Sequence, residues 1–171
     1  MSVLRIFSAF LLAVFASSVA VAQPGEWSTA QTTYGTVSAE VPCAKEAVQT
    51  KERDGTEAVR CDVSGITVYL FVLKNEMIPA FGFPGSTIAE IKQSITKDAD
   101  TVYLTDVSVS GYPAFFSEGR ASDGKVAIGV VELGDGRTVM LNVQTDGSEA
   151  ADAEFSSIFV RSWESLQVTK P

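Results

Sequence analysis

The sequence predicts an α+β domain in which an antiparallel sheet is sandwiched between helices. Three observations predict it. Eight runs with strand character lie between residues 36 and 145, Asp-Gly pairs punctuate them, and two stretches switch to an apolar period near 3.6.

The chain opens with MSVLRIFSAFLLAVFASSVAVA, residues 1–22, which reads as a secretory signal. Arg5 is its one charge, an apolar run follows from Ile6, and Ala20 and Ala22 stand at A-x-A spacing, so cleavage before Gln23 is expected. The alternative, an uncleaved anchor, rests on the 17 residues from Ile6 to Ala22, at the short edge of a membrane span. Residues 23–33 are a polar leader with Trp27 as anchor, and residues 34–171 form a single α+β domain.

Within that domain the predicted strands are 36–41, 46–53, 56–62, 66–74, 101–109, 112–121, 125–133 and 137–145. Asp54-Gly55, Asp123-Gly124 and Asp135-Gly136 mark hairpins between them, whereas Asp146-Gly147 leads into a helix. ITVYLFVL (66–73) and VAIGVVEL (126–133) are apolar on both faces, as strands covered on both sides are. The first covering helix starts at Thr87, with Glu90 at capping-box spacing and Ile88, Ile91 and Ile95 on one face. The second spans about 148–164, with Phe155, Ile158, Phe159, Ser162, Trp163 and Leu166 as its stripe.

The two cysteines, Cys43 and Cys61, are predicted to form one disulfide within the domain. An exported chain meets an oxidising compartment, the 17 intervening residues do not make a C-x-x-C redox motif, and the absence of His removes the commonest partner in mixed zinc sites. The Asp54-Gly55 turn sets Cys61 opposite Val48, so Cys43 would lie ~17 Å away along a straight strand. A disulfide needs Cα atoms within ~7 Å. The chain therefore bends after Pro42, or the 36–41 segment lies beside the 57–63 strand.

Signal removal leaves 149 residues with 12 basic and 21 acidic side chains, a net charge of −9. Nucleic acid and anionic lipid surfaces repel such a chain. The absence of His excludes a Ser-His-acid triad, and Lys92 and Ser94, two apart on a helix, cannot face one another. No catalytic residue, cofactor or metal site is expected. DGSEAADAE (146–154) lacks the EF-hand arrangement and reads as a dipole-stabilised helix start. FGFPGST (81–87) could hold an anion ahead of a helix, but capping accounts for Ser86 and Thr87. NEMIPAFGFPG (75–85) is a loop by its Pro and Gly content, yet it carries Met77, Ile78, Phe81 and Phe83. Those four are the candidate partner-binding residues, unless they fold over the end of the core.

YGTVSAEVP (34–42), GSTIAEIKQSI (85–95), GYPAFFSEGRASDGKVAIGVVELGDGRTVMLNV (111–143) and EFSSIFVRSWESLQV (154–168) together resemble the PsbP-like α/β/α sandwich. That superfamily includes an extrinsic photosystem subunit, a Ran-binding import factor and bacterial envelope proteins. The resemblance covers most of 34–168 and rests on element order; the disulfide departs from it. It implies a non-enzymatic accessory or binding protein, here periplasmic or secreted. The expected partner is an envelope protein docked at 77–83; the alternative is a small apolar or lipid-like ligand, and a third reading is an enzyme of unfamiliar type.

Overall fold

The computed structural model describes residues 26–33, 36–83, 85, 87–97 and 100–169, so the predicted signal at 1–22 lies outside the described residues. The strands are β1 (Ser28–Gln31), β2 (Val37–Val41), β3 (Gln49–Arg53), β4 (Thr56–Val63), β5 (Ile66–Lys74), β6 (Thr101–Val109), β7 (Tyr112–Ala121), β8 (Gly124–Glu132), β9 (Arg137–Thr145) and β10 (Gln167–Val168). Two α-helices join them, α1 (Ile88–Thr96) between β5 and β6, and α2 (Glu149–Glu164) between β9 and β10.

Seven strands form one antiparallel sheet in the order β3-β4-β5-β9-β8-β7-β6, and β1-β2-β10 form a second, smaller sheet. Three tight turns set the register of the large sheet. Asp54-Gly55, Ser64-Gly65 and Ser110-Gly111 all hold positive φ at both positions, the geometry whose twist matches two-residue hairpins. As the sequence indicates, Asp146-Gly147 begins a helix: Asp146 Oδ1 accepts from the Ser148 amide at 2.9 Å, and Ser148 caps α2.

Alternation along the central strands divides the core in two. Val68, Leu70, Val139 and Leu141 face Phe155, Ile158 and Phe159 of α2 and Val37, Ala39 and Val41 of the small sheet. Phe71, Leu73, Phe115, Val130 and Met140 face the other way, onto Ile91 and Ile95 of α1. The continuous apolarity of β5 and β8 follows, because both of their faces are covered. Phe115 and Phe116 point to opposite faces: Phe115 is buried under α1, while Phe116 meets Phe159 and Trp163 of α2, each at 6.0 Å between ring centroids. Gly129 lets α2 sit close, since a Cβ there would come within 2.1 Å of the Trp163 ring.

Cys43 and Cys61 are bonded, with Cα atoms 6.0 Å apart. Gln49 faces Arg60, which sets Cys61 opposite Val48, and the distance to Cys43 is closed by a bend. The chain leaves β2 at Val41 and coils through a 3-10 turn at Lys45–Ala47, so the predicted 46–53 strand begins only at Gln49. The bond thereby joins the end of the small sheet to the large one.

Part of the predicted polar leader is a strand. Ser28–Gln31 pair with β2, Ala30 is buried, and the Arg161 guanidinium lies 3.9 Å over the Trp27 ring. Thr29 and Gln31 point outward, while Ser28 shares the inward face with Ala30 and donates to the Cys43 carbonyl at 2.7 Å, which leaves no apolar periodicity to read.

Candidate functional site

Ile78, Phe81 and Phe83 of the 75–83 segment fold over the core, the second of the two readings the sequence left open, while Glu76, Pro79 and Ala80 are exposed. Asn75–Phe81 wind into a 3-10 helix that turns the chain back over the sheet. Ile78 is fully buried, Phe81 and Phe83 are 4 % exposed, and Phe81 sets its edge on Phe71 at 5.5 Å between centroids. Met77 alone of the four is half-buried. The physical reason is the length of α1. Nine residues cannot roof the whole sheet face, and the preceding segment supplies the missing cover.

The same shortness leaves a cleft at the other end of that face. It lies between α1 and the β6–β7 hairpin, lined by Ile88, Ala89, Lys92, Asp106, Pro113, Ala114 and Phe115, with a volume of about 420 Å³. Each wall has a local cause. Thr87 and Glu90 make a full capping box, the Thr87 hydroxyl accepting from the Glu90 amide at 3.3 Å and the Glu90 carboxylate accepting from the Thr87 amide at 3.1 Å. That carboxylate occupies the helix N-terminus, so capping accounts for the polar residues where an anion was the alternative; Ser86 lies outside the described residues. Ile88 follows Ile91 and Ile95 on the face turned to the sheet, one turn nearer the helix start, while Lys92 and Ala89 flank that face toward the rim. From β6, Asp106 accepts a hydrogen bond from Lys92 Nζ at 2.5 Å, so the one ion pair of an otherwise apolar cleft is internally neutral.

A second, smaller hollow of about 260 Å³ lies by the Ser64-Gly65 turn. Its floor is already knitted together. Asp62 accepts from Arg60 Nε at 2.7 Å, Arg60 Nη2 at 3.0 Å and Thr67 Oγ1 at 2.7 Å, and Arg60 lies 5.6 Å from the Tyr69 ring centroid.

Ionisation follows from this packing. Burial raises the Tyr69 phenol, and Arg60 partly offsets it. Burial and the Glu118 carboxylate, which accepts from the Tyr103 hydroxyl at 3.1 Å, raise Tyr103. Burial is the largest single influence on Arg60 and lowers it, but the hydrogen bond to Asp62 and the charge interactions with Tyr69 and Asp62 together raise it. Hydrogen bonds from Arg137 lower Asp135, those at Ser148 lower Asp146, and the bond to Asp135 raises Arg137. All these groups move away from neutral pH, opposite to the tuning that suits a general acid or base.

Among the described residues, no three His, Cys, Asp or Glu side chains are grouped so as to hold a metal ion. No described helix is long and apolar enough to cross a membrane. The cleft escapes sequence reading because its walls come from residues 88–92, 106 and 113–115. The capping box signalled the helix that forms one side, and GYPAFF (111–116) is an apolar stretch on the hairpin opposite, but no local pattern shows that the two face one another.

No protein-family model matches the chain, and no curated protein matches it. Solved structures do. The Saccharomyces cerevisiae Ran-binding protein Mog1p is 11 % identical, with 85 % of this chain and 96 % of that chain covered and a TM-score of 0.45. LpqN of Mycobacterium tuberculosis, described as involved in cell envelope biogenesis, is 12 % identical, with 95 % of this chain and 96 % of that chain covered and a TM-score of 0.46.

Proposed function

We propose that this chain is an exported, non-enzymatic accessory protein of the bacterial envelope that grips an apolar side chain of a protein partner in the cleft between α1 and the β6–β7 hairpin. The observation that carries this reading is the cleft itself. Its walls are mostly apolar, it contains a self-neutralised ion pair, and its volume of about 420 Å³ falls within the range of ordinary binding pockets. The disulfide supports export, because such a bond persists in oxidising compartments.

Ala89→Trp tests the reading. Ala89 is an exposed helical position on the cleft wall, so an indole there fills the cleft while leaving the core untouched. Crosslinked capture from the host envelope should yield one dominant protein with the natural chain and lose it with the variant. Stability should stay within about 0.5 kcal/mol in the same comparison. Undiminished capture by A89W sinks the proposal. The apolar lining also favours a second reading, a small apolar or lipid-like ligand. Native mass spectrometry of host-purified protein should then show an adduct that A89W lacks.

A further inference from the structure

The two edges of the large sheet are unlike. β3 is five residues long and carries Lys51, Glu52 and Arg53, charges of the kind that blunt an edge against further pairing. β6, at the opposite edge, is nine residues long, TVYLTDVSV, with five β-branched residues, one aromatic and one charge. Its irregularity lies at its first residues, between Thr101 and Tyr103, which leaves the rest straight. Val102 and Tyr103, 64 % and 40 % exposed, are two of the three large exposed apolar side chains among the described residues.

We propose that β6 is a dimer interface: a second copy of this chain pairs antiparallel along Thr101–Val109 with Thr105 on the two-fold axis, joining the two large sheets into one.

The ladder fixes which groups are available. The Ser110-Gly111 turn closes on the pair Val109 and Tyr112, and a two-residue hairpin closes on a hydrogen-bonded pair. Val109, Val107, Thr105 and Tyr103 therefore spend their backbone groups on β7, while Ser108, Asp106 and Leu104 turn theirs outward. In an antiparallel pair, outward residues must meet outward residues, which restricts the register.

A two-fold axis at Asp106 sets like charges opposite one another. An axis at Leu104 leaves Ser108 and Val109 without partners. The axis at Thr105 uses the whole strand. It sets Leu104 of one copy opposite Asp106 of the other, Val102 opposite Ser108, and Tyr103 opposite Val107, an aromatic and β-branched pair that stabilises sheets. Charge favours the same edge. The signal-cleaved chain carries −9, a charge that opposes self-association in general, but the only charge on β6, Asp106, is neutralised by Lys92 at 2.5 Å. A second copy thus meets a neutral surface that complements itself. This interface goes beyond the cleft reading and can fail independently of it, since A89W leaves β6 unaltered.

Sedimentation equilibrium over a concentration series tests it. Strand pairing alone falls short of the ~1,200–2,000 Å² of a stable interface, so a reversible, concentration-dependent dimer is expected. Thr105 is exposed, so Thr105→Lys and Thr105→Glu should fold normally. Each should raise the dimer dissociation constant at least about tenfold, because like charges meet on the axis. An equimolar mixture of the two should regain the dimer as a heterodimer. Amide exchange at Leu104, Asp106 and Ser108 should slow as concentration rises, while Tyr103, Thr105 and Val107 are slow throughout. A monomer at every concentration overturns the proposal, as does a dimer equally strong in both variants. Protection of the outward amides only on adding an unrelated extended peptide assigns the edge to a different chain and overturns it too.

Discussion

The double variant Phe81→Ser/Phe83→Ser is expected to be largely unfolded at room temperature. Both rings are 4 % exposed and belong to the apolar cluster under α1, where Phe81 also meets the edge of Phe71. Truncating a buried Phe to Ala costs about 3–5 kcal/mol through lost burial and the cavity left behind. Serine adds a hydroxyl that the apolar site has little means to satisfy. Two such losses approach the whole stability of a typical domain, about 5–15 kcal/mol. Far-UV circular dichroism and a urea titration read the outcome. The single variant Phe81→Leu, which keeps most of the buried surface, should retain a cooperative transition at a lower midpoint. A double-Ser variant that melts with the natural protein would falsify the burial described for this segment and return it to the surface as a docking loop.

Removing the disulfide is the second large effect. The bond closes a loop of 18 residues, for which the chain-entropy argument gives about 3 kcal/mol. Cys43→Ala/Cys61→Ala isolates that contribution, because both sulfurs are fully buried and Ala leaves no polar group behind. The loss should also have a location. β2 contacts the large sheet through β5 and is held to α2 by the Arg161–Glu40 ion pair at 2.7 Å, while its strand partners are only β1, four residues, and β10, two residues. Amides of β1 and β2 should therefore lose exchange protection before those of β5 and β9. Uniform loss across both sheets would show instead that the small sheet and the large one unfold as a single unit.

The large sheet was legible because its instructions are local. Asp-Gly pairs at 54–55, 123–124 and 135–136 mark hairpins without reference to anything distant, and the capping box at Thr87 marks where α1 starts. Misreadings fall where the answer depends on remote partners. β1 and β10 are short and mostly polar, and each is a strand only because β2 lies alongside it. The exposure of Phe81 and Phe83 turns on Phe71 and on how far α1 reaches, neither of which the Pro and Gly content of 75–85 can report. Pairing of Lys92 with Asp106 is equally remote, 14 positions apart and on different elements, so no local pattern joins the two walls of the cleft it spans.

For the unfolded chain, the strand order sets a search problem. β3–β5 and β6–β9 are two meanders in which every neighbour is also the next strand in sequence, so each half can zip through short turns. The seam between β5 and β9 is different. It brings Ile66 to Thr145 and Lys74 to Arg137, across the whole of α1 and three intervening strands, and its nine-residue ladder forms only after that long loop has closed. Docking of two preformed halves is therefore the slow encounter. Until it happens, ITVYLFVL of β5 stands as an open, apolar edge, and crowding is most dangerous to the protein in that interval.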